Sequence, residues 1–294
     1  MRDRSDQNIA EQLKTEIESE LSRAGLLFRV FARAKSHESI QSKLSRKSYG
    51  TIENERKMQD LYGVRIALYF PDDSDLAQRL LKSKFEYDEC SSTIDLPTDA
   101  TFGPTRSNLI FRLPKSIMNQ STTLQTEARI DGTFEVQFRT VFSEGWHEID
   151  HDLRYRCKND WNNHKDLNRA MNGFIATLET CDWAVTKLFD DLAWRHYKAK
   201  EWLPMLRTKF RLRWQSQDIN HDLENLLNMD NDFSKSLFKV DRQELLAKIL
   251  ESKIDLPINP SNLVYLSNFF FIHSEHMSKI TPRPVTDELE NCDK

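Results

Sequence analysis

The segment Thr133–Thr140, TFEVQFRT, holds three long polar side chains, Glu135, Gln137 and Arg139, at alternate positions. Read as a β-strand, it turns these three to one side and Phe134, Val136 and Phe138 to the other. Charges over an apolar core need partners, so the polar row marks either a solvated sheet face or a site. Elsewhere the chain supplies what a site would add. Asp60 stands just before a second apolar strand, and a basic run holds Arg33, Lys35, Lys43, Arg46, Lys47, Arg56 and Lys57. A carboxylate or two among several cations is what a Mg²⁺–nucleotide complex requires. Mg²⁺ takes few protein ligands and completes its shell with phosphate oxygens and water. The cations offset charge on a transferring phosphoryl group. The chain has no Walker glycine loop, so such a site would not be of the P-loop type.

These residues need elements to hold them. Ile9, Leu13, Ile17 and Leu21, then Leu26, Leu27, Val30 and Phe31, predict an entry helix over 8–34, broken near Gly25. Val64, Ile66, Leu68 and Phe70 alternate up to Pro71, a strand, after which Asp73 is placed to cap a helix through Leu76, Leu80 and Leu81. Asn108–Leu113, closed by Pro114, predicts another strand. Beyond Thr140 the pattern turns helical: Trp146, Ile149, Leu153 and Cys157 form a stripe, and 167–196 continues it. Residues 222–278 predict two or three more helices, one opened by Asn259 as cap with Pro260 at the first helical position. Residues 279–294 read as a frayed tail. Strands first and helices afterwards predict an α+β fold, a mixed β-sheet flanked by helices with a helical C-terminal extension. The expected parts are an N-terminal helix (1–25), the sheet-bearing domain (26–195), the helical extension (196–278) and a flexible tail (279–294).

Composition bounds the function. In 294 residues, Lys and Arg total 42 against 46 Asp and Glu, so any phosphate or nucleic-acid contact must come from a local patch. Seventeen Phe and six Trp exclude a disordered chain. No apolar run approaches the roughly 20 residues that span a bilayer, and the first residues lack the apolar core of a secretory signal. Cys90, Cys157, Cys181 and Cys292 are scattered without a CxxC pair. Together these read as a reduced, cytoplasmic protein with no membrane partner.

Three ordered motifs carry a resemblance. Arg33-Ala-Lys35, Ser39-Ile40, Lys43 and Arg46 resemble the ATP-binding segment of RelA/SpoT-type alarmone (ppGpp) synthetases. So do Asp60-Leu-Tyr-Gly63-Val-Arg65 and Glu135-Val-Gln-Phe-Arg-Thr140, the latter followed by Trp146, Glu148, His151, Tyr155 and Arg156. The resemblance implies a nucleotidyltransferase-like synthetase fold in a small single-synthetase or toxin-like member. The family transfers the β,γ-pyrophosphate of ATP to the ribose 3′-hydroxyl of GDP or GTP, making (p)ppGpp. By the same resemblance Arg33 and Arg65 sandwich the adenine, a sound use of guanidinium planes. Lys35, Lys43 and Arg46 hold the triphosphate. Asp60 and Glu135 bind Mg²⁺, Glu135 also takes the proton from the attacking hydroxyl, and Gln137 and Arg139 help to position it. Small relatives often form oligomers, so the resemblance allows a homo-oligomer, which no residue here shows.

The acceptor half departs from the family. Its loop carries a tyrosine that stacks on guanine and a histidine four residues later. Aligned on Arg106-Ser107, these fall on Thr105 and Leu109, while Phe102 offers a stacking face from a shifted place. Phe102, Arg106 and Ser107 are therefore the acceptor-loop candidates. GDP or GTP is the default acceptor. A tRNA 3′ end or an adenine nucleotide, as in toxin-like relatives, and a non-catalytic nucleotide-binding module are the alternatives. Trp194–Trp214 interleaves cations with aromatics, which suits single-stranded nucleic acid and equally an amphipathic helix pair with an aromatic core. His147-Glu-Ile-Asp-His151 fits the H-E-x-x-H zinc pattern. No third histidine follows at the extended spacing, and Glu179 stands at an unusual distance. His151-Asp152 stands alone, without the histidine-rich hydrolase domain of the long relatives.

Overall fold

The first helix ends where the backbone requires it to. In α1 (Arg2–Arg23), Ile9, Leu13 and Ile17 form a fully buried stripe, and Gly25 then takes φ +70°, a left-handed turn that stops the helix. The continuation expected as helix is instead a strand, β1 (Phe28–Ala34), with Phe28 and Val30 buried and Arg29, Phe31 and Arg33 exposed. Over so short an apolar run, a period of two had passed for one of 3.6. The computed structural model describes residues 2–47, 49, 56–95, 107–214, 218–252 and 254–292.

In chain order there follow α2 (His37–Lys47), β2 (Tyr62–Leu68), a 3₁₀ turn at Pro71–Asp73, α3 (Ser74–Lys84), β3 (Tyr87–Ile94) and β4 (Ser107–Arg112). Two short helices, α4 (Lys115–Met118) and α5 (Thr122–Thr126), lead to β5 (Thr133–Thr140) and α6 (Val141–Ile149). A π-helical turn at Asp150–Tyr155, α7 (Lys158–Trp161) and the long α8 (Lys165–Ala199) follow. Asp73 sits at the N-cap of α3 as expected, without a side-chain capping bond.

The five strands form one mixed sheet in the order β1-β2-β5-β4-β3, in which β2 and β5 run parallel and the other neighbours antiparallel. One face is the core. Val64, Ile66, Leu109, Phe111, Phe134, Val136 and Phe138 lie on it, each no more than 6% exposed. The Phe134 ring lies 5.2 Å from that of Phe85 and 5.5 Å from that of Phe111, its cross-strand partner.

The chain groups into two compact units, Met1–Glu20 with Phe28–Asp182, and Leu21–Leu27 with Trp183–Lys294. The N-terminal helix through Glu20 therefore groups with the sheet instead of standing apart as 1–25, and the division falls inside α8 instead of at 195. In the second unit, α9 (Trp202–Phe210), α10 (His221–Met229), α11 (Asn231–Lys239), α12 (Arg242–Glu251), α13 (Pro260–Ser267) and α14 (Glu275–Ile280) are more helices than were expected there. Asn259 caps α13 by accepting from the Asn262 amide at 2.8 Å, with Pro260 next. The expected frayed tail is instead α15 (Arg283–Cys292), ordered because Val285 and Leu289 are buried. Among the described residues no helix is long and apolar enough to cross a membrane.

The second unit also decides the Trp194–Trp214 stretch. Trp202 and Phe210 are buried, and Trp202 donates from Nε1 to Asn228 at 2.8 Å. Tyr197 and Trp194 pack on Phe238 at 4.7 and 5.6 Å. Arg211 is buried against Asp190 at 3.1 Å. Burial pushes Lys209 down to about 8, against the pull of Asp241 and Asp190. Trp202 and Phe210 thus belong to the aromatic core of a helix pair, whereas Trp194 keeps 49% of its surface exposed.

In the first unit, Asp6 is 4% exposed and its carboxylate accepts from Tyr62 Oη at 2.6 Å, Ser121 Oγ at 2.7 Å and Thr123 Oγ1. Burial, reinforced by Asp6, raises the Tyr62 phenol well above its usual range. One α1 side chain thus ties the start of β2 to α5. Asp6→Ala leaves buried hydroxyls without their acceptor, and urea denaturation should show a loss of about 2–4 kcal/mol.

Candidate active site

The strand registers assemble the site. Gly63 of β2 lies opposite Arg33 of β1 on one side and Glu135 of β5 on the other, and Arg65 lies likewise between Phe31 and Gln137. Asn108 of β4 lies opposite Gln137. All of these share the sheet face that is not core, so the polar row of β5 is neither open to solvent nor packed in apolar surroundings. It floors a cleft of about 1440 Å³. Ser39, Ser42 and Lys43 of α2 form one wall, and Glu144, Glu148, His151, Tyr155, Arg156 and Lys158 form the other. That second wall is placed by Thr140, which ends β5 and caps α6 reciprocally with Ser143. The π-helical turn then carries His151 and Tyr155, their rings stacked at 6.0 Å, to the rim. At Gly63 a Cβ would point into open space, with nothing within 4 Å, so the lack of a side chain keeps the floor of the cleft open.

Two carboxylates stand in this cleft in different surroundings. Asp60 Oδ2 lies 3.0 Å from Lys35 Nζ and 2.5 Å from Lys43 Nζ. Burial alone would raise its pKa, but the Lys35 charge and then the contacts with Lys43 outweigh it and hold the carboxyl below the usual range. Its other oxygen, Oδ1, is buried with no hydrogen-bond partner. Glu135 meets neutral donors instead: Asn108 Nδ2 at 3.0 Å from Oε1 and Gln137 Nε2 at 3.0 Å from Oε2. Arg139 Nη2 in turn donates to Gln137 Oε1 at 3.3 Å.

Arg65 Nη1 donates to Glu144 at 2.7 Å and to Glu148, so its guanidinium is fixed by two carboxylates from α6. Arg33 is exposed at the rim. His147 is held neutral, pushed down to about 3 by burial and then by the charges of Arg139 and Arg65. Those cations make it a poor zinc ligand. α6 ends between the two histidines, and His151 Nδ1 lies 2.8 Å from Asp152. Among the described residues no group of three or more His, Cys, Asp or Glu could hold a metal ion.

Of the residues expected from sequence, Arg33, Lys35, Lys43, Asp60, Arg65, Glu135 and Gln137 line the one cleft, and Arg139 joins through Gln137. Arg46 lies in α2 and its side chain is outside the described residues, as are Phe102, Thr105 and Arg106. Ser107 opens β4 and its Oγ accepts from Gln78 at 3.3 Å. Leu109, on which the family histidine aligned, is fully buried on the core face. Sequence reasoning missed Phe31, Asn108 and Glu144. Glu144 and Glu148, four apart on a helix and so on one face, were the available signal for a pair of carboxylates aimed at one cation. Asn108 left no comparable signal, because its role depends on the pairing of β4 with β5.

The fold is a mixed sheet flanked by helices, as in small alarmone synthetases. Residues 32–160, just under half of the chain, match the family model of the region found in RelA/SpoT proteins. The chain is similar to the GTP pyrophosphokinase YwaC of Bacillus subtilis (strain 168), at 28% identity over 131 residues, or 44% of this chain and 59% of that protein. The match thus spans less than two thirds of its relative's length. Among solved structures, the small alarmone synthetase 1 from Bacillus subtilis bound to its product pppGpp gives a TM-score of 0.50 at 21% identity, over 64% of this chain and 95% of that one. A GTP pyrophosphokinase family protein from Streptococcus pneumoniae gives 0.48 at 19% identity, over 64% and 90%. At 21% identity the first of these likenesses shows a shared fold.

The buried histidine generates a pH test. Between about pH 6.5 and pH 3 the unfolded chain binds a proton that folded His147 refuses, so stability falls as pH falls through that window. In urea melts at pH 7.5 and pH 5, the loss on acidification should be smaller in His147→Gln than in the parent.

Proposed function

We propose that this chain is an ATP-dependent pyrophosphotransferase that passes the β,γ-pyrophosphoryl unit of ATP to the ribose 3′-hydroxyl of GDP or GTP. The observation that carries the reading is the convergence on one cleft of Asp60, Glu135, Lys35, Lys43, Arg33 and Arg65, the residues to which the sequence resemblance gives ATP- and metal-binding roles. In the reaction the acceptor's 3′-oxygen bonds to the β-phosphorus, the bond from that phosphorus to the α-phosphate oxygen breaks, and AMP leaves. Glu135 takes the hydroxyl proton. Lys35 and Lys43 turn from Asp60 to the phosphates and offset their charge. Arg65, already fixed by Glu144 and Glu148, offers a held plane to the adenine, and Arg33 closes over it from the rim.

The carboxylates suit a divalent cation. Asp60 Oδ1 is a buried carboxylate oxygen without a partner, and Glu135 shares its cleft. Two carboxylates with phosphate oxygens and water make a Mg²⁺ shell. Mg²⁺ bound there would neutralise the β- and γ-phosphate oxygens during transfer.

Two experiments test the reading. Gly63→Val projects a side chain into the open floor from a Cβ that meets nothing within 4 Å, so its melting temperature should match the parent while binding of a fluorescent ATP analogue is lost. Label from γ-labelled ATP and Mg²⁺ should reach GDP or GTP when GDP, GTP, AMP, ADP and deacylated tRNA are offered separately, and Glu135→Gln should slow it by about 10²–10⁴-fold. ATP bound without transfer to any acceptor would make the chain a non-catalytic nucleotide-binding module.

A further inference from the structure

We infer that Asn108 is a positioning residue that orients Glu135 for the transfer step, an inference that rests on the function proposed above. A carboxylate only accepts hydrogen bonds, so Asn108 must present its amide Nδ2 to Glu135 Oε1, which it does at 3.0 Å. Gln137 is oriented in the same sense, because Arg139 donates to its carbonyl oxygen and leaves Nε2 for Glu135 Oε2. Glu135 is therefore gripped at both oxygens by neutral donors, one from its own strand and one from β4. Two such contacts fix the carboxylate plane, and Arg139, the cation on which Glu135 bears, donates to Gln137 and leaves the remaining lone pairs of Glu135 open. The contrast with Asp60, whose Oδ2 meets two lysines, divides the labour between the carboxylates.

Asn108 is out of character for its place as a merely structural residue. Asparagine is depleted in strands, and the next residue on the same face of β4, Ile110, is apolar and 6% exposed. Strand alternation explains why alignment pointed to its neighbour. Leu109 faces the core, so the polar side chain that β4 delivers to the site is one residue earlier. Asn108 also follows directly on the segment aligned with the family's acceptor loop. The strand that grips Glu135 is thus the one through which acceptor binding would reach it.

The test uses the full chain with whichever acceptor the parent protein labels. Asn108→Leu keeps the branched shape and removes the amide. It should lower kcat by about 10–100-fold, the scale of a small misplacement of a reacting group, with KM for ATP within about twofold and an unchanged melting curve. Placed on Glu135→Gln, the same substitution should cost nothing further. Asn108→Gln keeps the amide on a longer stem and should recover part of the rate lost in Asn108→Leu. Parental kcat in Asn108→Leu, a full additional loss on Glu135→Gln, or an Asn108→Gln variant no faster than Asn108→Leu would each overturn the inference. If Asn108→Leu does not fold, Asn108→Ala, which also removes the amide, takes its place in the comparison. A parent protein that labels no acceptor would remove the proposed function and this inference together, whereas an active parent with indifferent Asn108 variants removes this inference alone.

Discussion

The parallel pairing of β2 with β5 is the constraint on which the cleft depends. It brings Gly63 beside Glu135 and Arg65 beside Gln137, from segments some seventy residues apart in the chain. Side chains alternate with a period of two, so a slip of one residue would turn Glu135 and Gln137 into the core and Val136 into the cleft. The register is held by burial on the opposite face. Val64, Ile66, Phe134, Val136 and Phe138 would each lose apolar contact on such a slip, at roughly 1.5–3 kcal/mol for every large side chain exposed. The polar face is thus positioned by the apolar one.

Within that frame the site is an arrangement of paired charges, with Asp60 Oδ1 left buried and without a hydrogen-bond partner. Arg65 is latched by Glu144 and Glu148, Asp60 is bridged by Lys35 and Lys43, and Glu135 is held by two amides. Each cation faces a carboxylate at close range, which offsets the cost of partial burial. The fixed and the releasable contacts differ in kind. The guanidinium of Arg65 meets two carboxylates projected by a capped helix. Lys35 and Lys43 are compact ammonium groups on flexible stems, suited to exchange one anion for another.

Much of the site was legible in the chain because its residues lie on regular elements with short local signatures. β5 was located to the residue, since strict alternation over eight positions leaves little ambiguity. β1 was read as helix because Leu26, Leu27, Val30 and Phe31 fit a 3.6-residue period, whereas within the strand Phe28 and Val30 are the buried pair and Phe31 is exposed; only Gly25 marked the break. The tail 279–294 looked polar and proline-bearing, yet Val285 and Leu289 found a buried surface and ordered it as α15. Local composition carries no record of such a surface.

Sequence by itself determined the presence and type of the chemical groups. A cluster of cations comes first, a carboxylate then stands before a strand, and a polar row runs along one face of a later strand, an order that resembles that of RelA/SpoT synthetases. Tertiary structure alone decided which of them meet. It placed Asn108 and not Leu109 at Glu135, turned Glu144 and Glu148 onto Arg65, and packed the aromatics of Trp194–Trp214 on one another. The physical reason is range. Periodicity and capping act within a few residues and can be read along the chain, whereas strand register and helix packing are set by the simultaneous burial of side chains from distant segments, a sum that no single segment contains.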